Sequence, residues 1–241
     1  MIIKDSHIPI YFQLEIEIKE LIKDLKPGDP IYSEREFAEK YDISRMTVRQ
    51  AINNLVNEGV LVRQRGKGTF VAAPKVEQAL SGLTSFSEDM ISRGMTPQTK
   101  ILDFKVIPAD KNIAGKLQIE ERSLVYEVRR LRLADQIPMA LETSYLPCAL
   151  IKDLTKEIVY ASLYEYVENS LQLKISHATQ TLESSLSQKH ESPLLELKDG
   201  SPVLLIERYS YLETNTPFEF VKSIYRGDRY KFVIDMKRGT E

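Results

Sequence analysis

Residues 44–59 read SRMTVRQAINNLVNEG, and the reading of this stretch decides how the start of the chain folds. Val48, Ala51, Ile52, Leu55 and Val56 recur at helical spacing and form one apolar stripe. Ser44 stands where the helix begins and Gly59 where it ends. The stretch therefore predicts an amphipathic helix whose first turns carry Arg45, Thr47 and Arg49. The positive end of a helix dipole mildly disfavours cations there. Either these arginines lie on an ordinary solvated face, or something anionic sits against the helix.

Upstream, YSEREFAEKYDI (32–43) has Ser33 and Glu36 at capping-box spacing, with Phe37, Ala38 and Tyr41 as the inward face of a short helix. Before it, Lys26-Pro27-Gly28-Asp29-Pro30 breaks the chain. Residues 9–25, PIYFQLEIEIKELIKDL, place Tyr11, Leu14, Ile18, Leu21, Ile22 and Leu25 along one helical stripe. Two short helices joined tightly read as a helix-turn-helix, the second member being the one that enters a major groove. Downstream, VLVRQRGKGTFVAA (60–73) sets Gly66-Lys67-Gly68 between two extended runs, where glycine permits a tight tip that approaches a surface closely. Three helices and a basic hairpin make a winged helix.

Residues 44–75 hold Arg45, Arg49, Arg63, Arg65, Lys67 and Lys75 against the single acid Glu58, in a chain whose formal net charge is −2. A basic cluster confined to one segment is the footprint of a phosphate-backbone contact, whereas a solvated face normally mixes both signs. Arg45 and Arg49 are one helical turn apart and reach the same groove. Arg35 sits near the start of the second helix, towards the nucleic-acid backbone. A winged helix presenting the same arginines to a protein partner is the alternative.

The chain has 241 residues, enough for two domains, with ordinary apolar (42%) and charged (28%) content. No run of about 18 apolar residues predicts a membrane span. The start, MIIKDSHIPIYFQ, has no signal-peptide pattern. Cys148 stands alone, which fits a reducing cytoplasm, and His7, His177 and His190 lie too far apart for metal-ligand spacing. No cofactor or metal is expected.

Residues 72–81, AAPKVEQALS, show no helix or strand period and predict a connection, giving domains at 1–73 and 81–241 with a linker at 74–80. Beyond it, SLVYEVRRLRLADQIPMALETSYL (123–146) holds two strand-like runs around a hairpin at Ala134-Asp135-Gln136-Ile137. The period of two puts Tyr126, Val128, Arg130 and Arg132 on one face, and two buried arginines side by side call for an anion. A second hairpin is predicted at Thr214-Asn215-Thr216-Pro217, with Glu219, Val221, Ser223 and Tyr225 sharing a face. Such a sheet with helices beside it is an α+β ligand-binding design. Thr84 and Ser85 mark a helix start, with Ser85 and Glu88 in capping-box spacing; Ser162 and Glu165 repeat it. Helix starts can hold phosphate, although a serine three residues before a glutamate is usually only a cap. Residues 148–160, CALIKDLTKEIVY, read as helical, and 176–200 carry no motif.

PIYFQL, SEREFAEKY, ISRMTVRQAINNLVNEG and RGKGTFV, in order from Pro9 to Val71, resemble the GntR family of bacterial transcriptional regulators. The resemblance implies a homodimer reading palindromic operator DNA, with Arg35, Arg45 and Arg49 on the operator. Ser44, Thr47 and the tip residues Gly66, Lys67, Gly68 and Thr69 add phosphate and minor-groove contacts. LTSFSEDMISRGM, RLRLADQIPMALETSYLP, SLYEYVE and FEFVKSIYRGDRYKFV resemble the UTRA effector domain of HutC-type members, with a chorismate-lyase-like fold from about 80 to 238. Within it the likeness runs to the repressors of N-acetylglucosamine utilisation, which implies glucosamine-6-phosphate or its N-acetylated form as effector. By that likeness Thr84, Ser85, Phe86, Arg130, Arg132, Ser162 and Tyr164 would hold the phosphate, and Glu142, Glu219 and Tyr225 the sugar hydroxyls and amine. A GntR/HutC-type regulator of another phosphosugar or small anion is the alternative. An enzyme would place acid–base work on Glu142 and Glu219, but no His- or Cys-centred nucleophile accompanies them. A nonspecific architectural protein would not distinguish a palindrome from random duplex at raised salt.

Overall fold

The computed structural model describes residues 2–3, 6–64, 66–72, 75–79 and 82–235. Arg65 of the basic cluster, and Ala73, Pro74, Leu80 and Ser81 of the expected connection, lie outside the described residues. The chain divides between Glu77 and Gln78 into two compact units.

In the first unit, α1 (Ile10–Leu21) buries Leu14 and Ile18 completely and continues as one 3₁₀ turn, Ile22–Asp24. Leu25 is extended, and Asp29 Oδ2 accepts the Lys26 amide at 2.7 Å, so the helix cannot propagate through the Pro27-Gly28 turn. In α2 (Glu34–Tyr41) the Ser33/Glu36 capping box is complete. Asp42, left-handed at φ 51°, ends that helix and turns the chain sharply into α3 (Arg45–Asn57), capped by Ser44. Glu58 and Gly59, the latter at φ 76°, close α3. Strands β1 (Leu61–Gln64) and β2 (Gly68–Val71) form an antiparallel hairpin, and a bridge from Pro30 to Phe70 adds a third extended segment. Phe37, Val48, Ala51, Ile52, Leu55 and Leu61 complete the core with α1. Each fully buried aliphatic side chain contributes about 1.5–3 kcal/mol. Glu15, buried under α3, accepts a 2.7 Å hydrogen bond from Asn54 Nδ2.

The expected connection is not wholly irregular: Val76–Ala79 forms a short strand, β3, across the division of the units. Val76 is buried, and that burial is what a four-residue run gives no period to predict.

The second unit contains α4 (Phe86–Ser92), β4 (Pro97–Pro108), α5 (Lys111–Leu117), β5 (Leu124–Ala134) and β6 (Ile137–Pro147). These are followed by α6 (Lys156–Tyr160), α7 (Leu163–Glu165) and a π-helical turn, Tyr166–Ser170. Then come β7 (Ile175–Leu186), β8 (Pro202–Leu212), β9 (Pro217–Arg226) and β10 (Tyr230–Val233). Six strands make one antiparallel sheet in the order β4-β5-β6-β9-β8-β7. Both expected hairpins are present; Asp135 and Gln136, at φ 49° and 67°, form the two-residue turn between β5 and β6. Residues 148–160 are less helical than their sequence predicts. Asp153 at φ 53° breaks the segment, and only Lys156–Tyr160, capped by Thr155, is a helix. The Ser162 arrangement is also weaker than that at Ser85: Ser162 Oγ accepts the Glu165 amide at 3.4 Å, and the helix it starts has three residues before the π turn. Val128, Leu146, Ile151, Val159, Leu163 and Phe218 pack between this helical layer and the sheet.

Candidate functional site

Three of the first unit's expected basic residues, Arg35, Arg49 and Arg63, are held in ion pairs. Arg49 Nη2 lies 3.0 Å from Glu34 Oε2, and Arg63 of β1 reaches the other oxygen of the same carboxylate at 3.2 Å. Hydrogen bonding to Glu34, then its charge, raises the Arg49 pKa. Glu34 thus joins the third helix to the wing, a link between distant positions that sequence spacing does not disclose. Arg35 pairs with Glu39 at 2.8 Å along α2. Arg45 is exposed. Ser44 Oγ accepts the Thr47 amide at 3.1 Å and lies 2.8 Å from Thr47 Oγ1, so the two hydroxyls are set against each other at the helix start. At the wing tip, Gly66 and Gly68 have φ 75° and 123°, and a Cβ on Gly66 would meet nothing within 4 Å. Conformation rather than crowding selects glycine there. Lys67 and the two glycines are exposed, and Thr69 is half-buried.

In the second unit the sheet register builds a cleft. Arg132, Ala140 and Tyr225 lie side by side across β5, β6 and β9, and Arg130, Glu142 and Ser223 form the next row. Beyond them Val128, Ser144 and Val221 are adjacent, with Arg208 of β8 opposite Val221. Small residues at Ala140, Ser144 and Ser223 leave the floor low, while arginine, glutamate and tyrosine rise around it. The starts of α4 and α7 close the sides, and about 650 Å³ of empty space lies between them, the open mouth included. All ten residues expected at the effector end (Thr84, Ser85, Phe86, Arg130, Arg132, Glu142, Ser162, Tyr164, Glu219 and Tyr225) line this cleft.

Its electrostatics are unbalanced. Arg130 Nη2 and Arg132 Nε approach the same oxygen, Glu142 Oε2, at 3.3 and 3.4 Å. Arg130 also donates to Ser144 Oγ at 3.1 Å, and Arg132 to Thr99 Oγ1 at 2.6 Å and Ser87 Oγ at 3.4 Å. The Arg132 guanidinium stacks 4.7 Å above the Phe86 ring, which fixes its plane. Both arginines are at least nine-tenths buried, yet the Nε of each lacks a hydrogen-bond partner among the described residues. Such donors are costly to leave unmade. Burial, opposed by Glu142 and reinforced by Arg130, lowers the Arg132 pKa.

Across the cleft, Tyr164 Oη lies 3.1 Å from Ser210 Oγ and 3.4 Å from Glu219 Oε2. Burial pushes the Glu219 carboxyl up, although Arg130 and Arg208 pull the other way. Burial first, then Glu219 for Tyr164 and Glu142 for Tyr225, raises both phenols. The α4 capping box qualifies one expectation: the Ser85 amide is taken by Glu88 at 2.8 Å, so that amide is not available to an anion as the fold stands. The Ser85 hydroxyl proton remains free to be donated.

Arg208 and Ser87 line the cleft without having been singled out, while Ser223 and Val221 lie in it on the face expected for their strand. A signal existed for Arg208, since the period of two in PVLLIERYSYL sets it beside Ile206 and Ser210, an arginine on the buried side of a strand. Among the described residues no helix is long and apolar enough to cross a membrane.

Residues 10–71 match the bacterial regulatory proteins of the gntR family, and residues 92–231 match the UTRA domain. The chain is 48% identical over 237 residues to the HTH-type transcriptional repressor NagR of Bacillus subtilis, covering 98% of each chain. It is 34% identical to the mannosyl-D-glycerate transport/metabolism system repressor MngR of Escherichia coli, covering 97% of this chain and 98% of that one. The crystal structure of PhnF from Mycobacterium smegmatis superposes with a TM-score of 0.64 at 30% identity, covering 93% of this chain and 99% of that chain. These relatives share both units in the same order, and none is an enzyme by its description. With a gntR-type head and a UTRA domain on one polypeptide, the chain belongs to the GntR family of bacterial regulators, as a DNA-binding transcriptional repressor of the HutC type.

Proposed function

We propose that this repressor controls amino-sugar utilisation genes and leaves its operator when it binds glucosamine-6-phosphate or N-acetylglucosamine-6-phosphate. The observation that carries the reading is the pair of buried arginines, Arg130 and Arg132, with unmade Nε donors in a cleft that also holds Glu219. A phosphate supplies acceptors to the arginines, with Ser162 and the hydroxyls of Thr84 and Ser85 as additional donors. Glu142, Glu219 and Tyr225 suit sugar hydroxyls, and a carboxylate also pairs with an ammonium. The likeness to NagR supports the amino-sugar assignment.

In the same reading a homodimer contacts a palindromic operator through Arg35, Arg45 and Arg49, with Ser44, Thr47 and the Gly66–Thr69 tip on phosphates and the minor groove. Release requires the effector to favour a conformation that binds operator less well. The relatives MngR and PhnF favour keeping a second reading, another phosphosugar or small anion, because the arginine pair recognises charge rather than a particular ring.

The test is operator release, followed by fluorescence anisotropy while a panel of sugar phosphates is titrated. The two amino-sugar phosphates should release operator at concentrations that leave glucose-6-phosphate inactive. Release by a different phosphosugar alone would replace the first reading with the second. No release by any phosphorylated sugar would sink both.

A further inference from the structure

Beside the effector cleft, along the edge strand β7, lies a second, open cavity of about 750 Å³ of empty space, its mouth included, lined by Gly82, Leu83, Ser176, His177, Ala178 and Gln180. The two cavities share Gln78, Thr84 and Arg208 as common walls. Arg208 is the long side chain among them. It projects from β8 between Gln180 of β7 and Val221 of β9, and its Nε donates to Gln180 Oε1 at 2.9 Å. Its Nη1 reaches the Thr84 carbonyl at 3.4 Å, a long contact that holds the guanidinium across the gap.

The chambers differ in chemistry. The first carries Arg130, Arg132, Glu142 and Glu219, as a charged ligand requires. The described lining of the second has no carboxylate, and apart from Arg208 it offers hydroxyl, amide and imidazole groups. The His177 ring stacks on Tyr211 at 4.7 Å and 9°, adding a flat aromatic surface. Hydroxyl, amide and imidazole groups beside a flat ring match the hydroxyls and ring face of an uncharged sugar.

We propose that Arg208 sets the length of the effector. It closes the cleft at one phosphorylated ring, and the chamber beside it is a latent subsite for a second, neutral sugar ring. This rests on the phosphosugar reading of the first cleft. Natural specificity then comes from a steric wall as well as from the contacts that attract the ligand.

The experiment compares operator release by N-acetylglucosamine-6-phosphate with release by N,N′-diacetylchitobiose phosphorylated on its non-reducing ring, whose second ring is uncharged. The wild-type chain should respond at least about tenfold more sensitively to the monosaccharide, and Arg208→Ala should narrow or reverse that ratio. Ala178→Trp, which fills the second chamber, should leave the wild-type monosaccharide response unchanged and abolish the response gained by Arg208→Ala. Arg208→Ser opens the same gap and serves if the alanine variant does not fold, as judged by its thermal transition without ligand. Equal wild-type sensitivity to both sugars, or a folded Arg208 variant with no gained response, overturns the wall. Failure of both variants to fold also overturns it, because Arg208 is then a structural element. If the wild-type chain responds to no monosaccharide phosphate, the phosphosugar reading falls and the wall with it. A wild-type response without a gain in the variant condemns the wall alone.

Discussion

Arg49 on α3 and Arg132 on β5 each face a carboxylate, and burial makes the two pairs opposite in character. The Arg49 side chain is 48% exposed, and its partner Glu34 raises its pKa. The Arg132 side chain is 5% exposed, and desolvation lowers its pKa despite Glu142. In solvent, an ion pair contributes little and exchanges readily, so Glu34 can give way to a phosphate or base edge. In the cleft, two arginines share one carboxylate oxygen and retain unmade donors, so an incoming anion completes a set rather than displacing a partner. On the proposed reading, one residue type serves as a movable contact in the first unit and a fixed receptor in the second.

The most damaging test of this contrast is Arg132→Ala. Removing one member of a buried charge set should reduce effector affinity by about a hundredfold or more, and leave operator binding without effector intact. Isothermal titration and operator anisotropy check the two halves; a matching loss in operator binding would erase the distinction. Arg49→Ala should do the reverse, lowering operator affinity by about tenfold while the thermal shift caused by effector is unchanged.

A milder effect is expected at the wing. Lys67→Ala should weaken specific and random duplex alike and reduce the slope of log affinity against log salt by about one. A loss confined to the specific site would instead give the wing tip a role in reading bases.

The smallest effect concerns protons. The Glu219 carboxyl titrates above its ordinary value of 4.5, so a fraction is protonated just above that pH in the free cleft. A raised carboxyl pKa contributes stability that is fully present below the unfolded value and is lost as pH rises through the folded one. Binding the ammonium of glucosamine-6-phosphate favours the ionised form and should release less than one proton per site in that window. The N-acetylated sugar, which has no ammonium, should release fewer, because the phosphate, with its second pKa of about 6, gives up protons on meeting the arginines alike in both. Calorimetry in buffers of different ionisation enthalpy measures this, and Glu219→Gln should abolish the difference.

The head was almost wholly legible in the sequence, because its determinants are local. Ser33/Glu36 and Ser44 cap their helices, the stripe from Val48 to Val56 is one face of one helix, and the Gly66 and Gly68 turn lies within a single hairpin. The cleft was legible in parts. Period-two reasoning grouped Arg130 with Arg132 and Glu219 with Tyr225, strand by strand. It could not show that β6 and β9 are neighbours, nor that Arg208 of β8 stands beside Val221. The helical reading of 148–160 failed at Asp153, whose left-handed backbone no apolar spacing announces.

By itself, then, the sequence determined two units, a basic winged helix and an arginine-bearing sheet, since caps, glycines and periodicities act over a few residues. Only the tertiary structure decided which cations are paired, buried or left with unmade donors. Glu34 meets Arg63 across 29 positions and Arg208 meets Thr84 across 124, and such encounters depend on strand order and packing, not on neighbouring residues.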